Sequence, residues 1–396
     1  MNRPVAQSMA WQDQAGRKAA VIIGSAGDPR VASYQAARHR AGHAPALLID
    51  YRELIADPDK AASRIPAEAD VRIDSPGRAP DVLAGLLSRG IAASAQRGLH
   101  HLSYREITEQ LEDRGRLLPP RQLFFGLMDV LAAVARRAAA HDGIRLVPDV
   151  DAIAHAFDKT SCHARLAARA IPVPATLPAI GSFEALQAAM IAARMPRVFL
   201  KLQHGSAAAG TVALATSKLG MRAVTTVETV ADGAGVRLYN TRAIRSETSP
   251  AAIARLVDAL APHGLHVEAW VPKASIDGRV ADLRVLVING EPVFRVLRKS
   301  RHPMTNLHLG GERADATALL SRMSKPAVLA LDATCRAVAQ AFPGALQLGI
   351  DVAVATGFAR HAVLEVNAFG DLLKGIATET GLDAYDLQLR ALEAAA

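Results

Sequence analysis

Short apolar runs alternate with amphipathic stretches in the first part of the chain. Ala19 to Ile23 is an apolar run that ends at Gly24-Ser25-Ala26-Gly27-Asp28-Pro29, and an alanine-rich pattern follows from Val31 to Ala41. That order predicts strand, turn and helix, with Ala46 to Asp50 as the next strand and Val71 to Asp74 as another, stopped by the turn Ser75-Pro76-Gly77. An open α/β domain is expected over residues 17–150. Leu99 to Ala140 is helix-rich, broken by Leu118-Pro119-Pro120, and predicts a helical insertion or cover. The first turn lacks a complete G-x-G-x-x-G pattern, so it reads as a tight turn and not as a dinucleotide site.

The texture changes near residue 150. Phe157-Asp158-Lys159-Thr160 opens a helical stretch to Ala170, and Ile171-Pro172-Val173-Pro174 forces an extended exit. Beyond it, strand candidates run at Val198–Leu202, Thr211–Leu214, His266–Val271, Ala281–Ile288, Pro292–Arg298, Gly349–Ala355 and Ala362–Val366. Asn289-Gly290 between two of them is a hairpin signal, because both residues tolerate positive φ. This half is expected to be α+β with much antiparallel sheet, divided into 151–230 and 231–396, and no repeat period is present.

At 396 residues, with 50% hydrophobic and 21% charged positions, the chain can bury two or three cores. The net charge of +8 comes from scattered arginines without basic blocks or interleaved aromatics, which gives no nucleic-acid signature. Cys162 and Cys335 are the only cysteines, too few for a disulfide framework or a thiolate metal site, and a reducing, cytoplasmic setting fits. Residues 1–16 hold no long apolar core and read as a loose tail. No run approaches the roughly 20 apolar residues a membrane span needs, so no membrane partner is expected.

Three segments could carry chemistry. Lys201 ends a strand that runs into Gln203-His204-Gly205-Ser206-Ala207-Ala208-Ala209-Gly210-Thr211. A cation beside small residues suits phosphate, whose oxygens need close backbone N–H groups; an ordinary mobile loop is the alternative. Asp351, Glu365 and Asn367 sit on otherwise apolar strands, Glu365 and Asn367 two apart and therefore on one face. Oxygen ligands of this kind suit Mg²⁺ with substrate phosphates, while a hydrogen-bonded network or an exposed face would also account for them. Finally, Asp282-Leu283-Arg284 and Arg298 lie on the two strands of one hairpin, where both guanidinium groups could face a shared anion. His302 and His308, in the loop that follows, lack a third clustered histidine and are expected to form loop hydrogen bonds.

In this order, the segments resemble the ATP-grasp superfamily over residues 150–380, especially the branch containing glutathione synthetase and the ribosomal-protein glutamate ligase. The most specific pieces are Asp351 with Leu364-Glu365-Val366-Asn367, and Asp282-Leu283-Arg284 leading to Arg298 and Thr305-Asn306-Leu307-His308-Leu309-Gly310-Gly311. The resemblance implies an N-terminal α/β domain followed by two α+β subdomains that clasp ATP. It places Lys159 and Lys201 on the phosphates with Gly205, Ser206 and Gly210 in the phosphate loop. It likens Glu268-Ala269-Trp270-Val271 to the adenine hinge, with Glu268, Trp270 and Val271 at the nucleotide. It puts Asp351, Glu365 and Asn367 on Mg²⁺, with Mn²⁺ as a substitute, and Arg284, Arg298 and Asn306 around the transferred phosphate and acyl group.

The implied reaction is ATP-dependent ligation of a carboxylate to an amine through an acyl phosphate. The alternatives are a kinase of small-molecule hydroxyls and an inactive nucleotide-binding regulator. Partners would be small-molecule or peptide carboxylates and amines, and a homo-oligomer stays open. Two departures stand out. Three alanines occupy the phosphate loop, and Ala368-Phe369-Gly370-Asp371 replaces a proline-containing turn after Asn367.

Overall fold

The computed structural model describes residues 18–233, 235–370 and 373–394. The tail expected over residues 1–16 and the aspartate at 371 lie outside the described residues.

The first sheet is parallel, ordered β2-β1-β3-β4, from β1 (Ala19–Gly24), β2 (Leu47–Asp50), β3 (Ala69–Ile73) and β4 (Ile144–Val147). Parallel strands need covered crossovers, and helices such as Pro29–Arg40 and Pro80–Gln96 supply them. The helix Pro120–Ala139 packs so closely on Pro80–Gln96 that a Cβ on Gly126 would lie 1.7 Å from the Leu86 carbonyl oxygen, and one on Gly90 would lie 2.0 Å from that of Gln122. Leu127, Val130, Leu131 and Val134 of that helix belong to the main core. Within the expected insertion or cover, Pro120–Ala139 is a core helix of this domain, and Gly126 marks its close contact with Pro80–Gln96.

The second sheet is antiparallel, ordered β8-β7-β6-β5-β9, from β5 (Arg197–Leu202), β6 (Val212–Ser217), β7 (Gly220–Asp232), β8 (Gly235–Glu247) and β9 (Leu265–Ala269). The division expected at 230/231 falls within β7, whose ladder with β8 pairs Val230 with Arg237 and Ala231 with Val236. Val198, Leu200 and Leu202 of β5 point to a core made with the helices Phe183–Ala192 and Pro250–Leu260. The alternate residues Phe199 and Lys201 therefore face the other way.

The third sheet runs β13-β12-β11-β14-β15, with β10 (Ser275–Ile276) paired to β11 (Arg279–Ile288). Its other members are β12 (Glu291–Ser300), β13 (Glu312–Asp315), β14 (Gln347–Val354) and β15 (His361–Asn367). Asn289 and Gly290 turn the β11–β12 hairpin with φ of 48° and 81°, as the sequence predicts. Leu283, Val285, Leu297, Ile350, Val352 and Val363 pack with Leu331, Cys335 and Val338 of the helix Lys325–Ala341. Burying each such side chain contributes about 1.5–3 kcal/mol, so the opposite face is free to hold charge. Among the described residues, no helix is long and apolar enough to cross a membrane.

Candidate active site

The polar faces of the second and third sheets meet across an open cavity of about 690 Å³. Its walls include Phe199 and Lys201 of β5, Glu268 of β9, Asp282 of β11, Arg298 of β12, Asp351 of β14 and Glu365 of β15. The period-two alternation of each strand delivers these side chains. The register then sets them opposite one another: Asp282 faces Arg298, Arg284 faces Asp351, and Asp351 faces Glu365.

On the third sheet the charges interlock. Arg298 Nε donates to Asp282 Oδ1 at 2.8 Å, and its Nη2 lies 3.2 Å from Asp351 Oδ2. Arg284 also clasps Asp351, through Nε and through Nη2 at 3.2 Å. Lys273 Nζ donates to Asp282 Oδ2 at 2.8 Å and to Thr305 Oγ1 at 3.1 Å, and the Thr305 hydroxyl donates to Asp282. Burial by itself would raise the Asp282 carboxyl, but Arg298 and Lys273 hold it well below the usual carboxylate range. Burial likewise opposes the Arg298 charge, and Asp282 and Asp351 outweigh it.

On the second sheet Lys201 Nζ donates to Glu268 Oε1 at 2.6 Å and to the Leu364 carbonyl at 3.3 Å. Glu268 is 2% exposed. Burial would push its carboxyl up, yet Lys201, with help from His266 and His163, brings it down to about 2. Burial disfavours the Lys201 ammonium, and Glu268 and Glu365 more than restore it.

Lys159 joins the two walls. Asp158 caps its helix, accepting from Thr160 N at 2.9 Å and Ser161 N at 3.0 Å, which leaves Lys159 as the first helical residue. Lys159 Nζ donates to the Gly205 carbonyl at 2.6 Å and pairs with Glu365 Oε1 at 3.0 Å. Burial raises the Glu365 carboxyl, and Lys159 and Lys201 together bring it below its ordinary value.

The loop after β5 lies against Leu202. Gly210 has φ +68°, and a Cβ there would stand 2.4 Å from Leu202 Cδ1; one on Gly205 would stand 2.9 Å from Leu202 Cβ. Small residues are thus required by packing under the loop as well as by access above it. Thr226 Oγ1 ties the loop down by donating to the Ala208 carbonyl at 3.0 Å.

Of the residues singled out in the sequence, Lys159, Lys201, Gly205, Glu268, Val271, Arg298, Asn306, Asp351 and Glu365 border the cavity. Five others do not. Ser206 is exposed on the loop, and Gly210 is buried beneath it. Trp270 packs edge-on against Phe199, ring centroids 5.2 Å apart, and its backbone N–H is already donated to Arg197 O at 3.1 Å. Arg284 reaches the site through Asp351. Asn367 Nδ2 donates to Gly349 O at 3.1 Å, two register positions beyond the Asp351–Glu365 pairing. Lys273, Thr305 and Met304 also border the cavity. Lys273 had no motif of its own and Met304 gave no signal, whereas Thr305 opens the segment Thr305 to Gly311 quoted above.

Comparison with solved structures follows this geometry. Over 95% of the chain, the fold matches the ATP-grasp ligase PsnB complexed with minimal precursor, at TM-score 0.53 and 17% identity, covering 98% of that chain. The fold is the ATP-grasp fold. D-cycloserine synthetase DcsG matches at TM-score 0.53 and 14% identity over 95% of this chain and 99% of its own. The macrocyclase MdnC from Microcystis aeruginosa MRC, bound with precursor peptide MdnA, matches at TM-score 0.51 and 11% identity over 95% of this chain and 100% of its own. No family model and no curated protein matches the sequence.

Proposed function

We infer that the chain is an ATP-dependent carboxylate–amine ligase that makes an amide or peptide bond and releases ADP and phosphate. The observation that carries this reading is the ion pairing that lines the cavity: Lys159 to Glu365 at 3.0 Å between the two walls and Lys201 to Glu268 at 2.6 Å on one of them, facing Arg298 and Asp351. A binding site for a polyanion and a divalent cation needs cations and carboxylates that are charged, fixed and mutually neutral beforehand. Here each ammonium has a carboxylate to exchange for a phosphate, and each carboxylate has a cation to exchange for a metal. The apolar walls, Phe199, Leu202, Val271, Met304 and Leu364, suit a flat purine.

Asp351, Glu365 and Asn367 offer hard oxygen donors, and in-register pairing puts the first two side by side, so they fit Mg²⁺ or Mn²⁺. The ion would neutralise phosphate charge there. Lys159 and Lys201 would bind the phosphates. Arg298 would stabilise charge developing on the transferred phosphoryl group from a fixed position, with Arg284 orienting Asp351 behind it and Asn306 and Lys273 beside the acyl acceptor. The loop from Gln203 to Gly210 would exclude the water that otherwise hydrolyses the acyl phosphate. Within the superfamily, Asp282-Leu283-Arg284 and Thr305 to Gly311 support the branch containing glutathione synthetase and the ribosomal-protein glutamate ligase. The PsnB and MdnC structures hold precursor peptides, which supports a peptide as well as a small molecule as substrate.

The test is ADP release with Mg²⁺ across a pool of carboxylates, with hydroxylamine present. A hydroxamate together with ADP is the expected result. A product heavier by one phosphate without a hydroxamate would assign a kinase, and no ADP under any condition would leave a nucleotide-binding regulator.

A further inference from the structure

Where Glu268 borders the cavity, its second oxygen turns away from Lys201 toward two histidines that the nucleotide reading does not use. His163, His266 and Glu268 are 3%, 2% and 2% exposed. One ligand atom from each lies within 4.8 Å of the others. Glu268 Oε2 is 3.3 Å from His266 Nε2 and 3.7 Å from His163 Nε2. In a tetrahedral zinc site with bonds of about 2.0–2.1 Å, neighbouring ligand atoms stand ~3.3–3.4 Å apart, which is close to both spacings.

Two of those atoms, His266 Nε2 and Glu268 Oε2, are buried with no hydrogen-bond partner. Leaving two complementary polar atoms unsatisfied in a dry interior is costly, and a cation between them removes that cost. The rings stand edge to face, with centroids 4.6 Å apart. Their outer contacts suit ligation: His266 Nδ1 lies 3.2 Å from Thr160 Oγ1, and Glu268 Oε1 is held by Lys201 at 2.6 Å.

The geometry points to a second metal site, made by His163, His266 and Glu268, that takes a late first-row divalent cation such as Zn²⁺. Two imidazoles with one carboxylate favour zinc over magnesium, whose preference is for all-oxygen sites. His163 Nε2 donates to the Leu364 carbonyl at 3.3 Å, and its Nδ1 is buried without a partner. Ligation through Nε2 gives up that hydrogen bond and moves the ring proton to Nδ1. A cation here would pin Glu268, and through it Lys201, so the site would organise the nucleotide wall without touching the reacting atoms. The inference stands whether or not the chain is a ligase.

The test uses the full chain, stripped with chelator and titrated with Zn²⁺ against a chromophoric competitor, then with Co²⁺ and read by visible absorption. One equivalent of Zn²⁺ and the intense bands of four-coordinate Co²⁺ are expected. His163→Asn and His266→Gln should each raise the zinc Kd at least about 100-fold. Glu365→Gln, which alters only the oxygen set across the cavity, should leave zinc binding unchanged. Should the histidine variants fail to fold by circular dichroism, the Co²⁺ spectrum of the unaltered protein decides. Absence of bound zinc, a weak octahedral Co²⁺ spectrum, or binding that persists in both folded histidine variants overturns the proposal.

Discussion

Lys201→Met deletes one ammonium while keeping most of the stem's volume, and its effect can be worked from the pair it breaks. Glu268 is 2% exposed and relies on Lys201 Nζ at 2.6 Å; its second oxygen has no hydrogen-bond partner. Removing one member of a buried pair leaves an uncompensated charge and costs about 3–5 kcal/mol, a large part of the ~5–15 kcal/mol typical of a folded domain. Replacing both members with uncharged groups removes the charge as well as its partner. The double variant Lys201→Met with Glu268→Gln should therefore recover most of the loss, a coupling of about 2 kcal/mol or more.

Urea unfolding of wild type, both single variants and the double variant closes the cycle. A pH series sharpens it. Glu268 is held at about 2 chiefly by Lys201, against burial that raises it. Without the ammonium, its carboxyl should titrate well above that value, and protonation should relieve the defect, so Lys201→Met loses least, relative to wild type, in mild acid. A Lys201→Met variant within about 1 kcal/mol of wild type, or a double variant no more stable than the single, would refute the reasoning.

Three further expectations follow from the same structure. His163 and His204 are buried and held neutral, each at about 4 against an ordinary 6.5. The unfolded chain then binds protons that the folded chain refuses, so stability is complete above about 6.5 and falls as pH drops toward 4, by roughly 2 kcal/mol for each group at pH 5; thermal melts at pH 7.5 and pH 5 read this, and an unchanged midpoint contradicts it. Gly126→Ala gains about 1 kcal/mol of helix propensity but drives a methyl to 1.7 Å from the Leu86 carbonyl, so urea unfolding should show a net loss of about 2 kcal/mol or more, while Gly98→Ala, at an open turn with φ +61°, should cost about 1–2 kcal/mol. Glu365→Gln removes the partner of Lys159 and one oxygen charge facing the phosphates; ADP formation should fall about 100-fold or more while the fold persists, as circular dichroism would show.

Much of the architecture was legible because it rests on local rules. Apolar runs bounded by glycine and proline located most strands to within two residues, and Asn289-Gly290 announced its hairpin. Spacing by two put Glu365 and Asn367 on one face of β15. The long β7–β8 hairpin was not read, since β8 carries Arg237, Thr241, Arg242 and Arg245 among its apolar positions and shows no clean alternation. The sequence left Pro120–Ala139 as part of an insertion or cover, because its packing partner, Pro80–Gln96, is identified only by close approach at Gly90 and Gly126.

The sequence by itself determined which residues alternate, which turn and which carry charge, because backbone geometry imposes those periods within a few residues. Only the tertiary structure decided which charges meet. Lys201 with Glu268, Lys159 with Glu365, and His163 with Glu268 are joined by strand register and by the approach of two sheets. Those pairings depend on packing between segments far apart along the chain, where spacing carries no information and burial sets the energy.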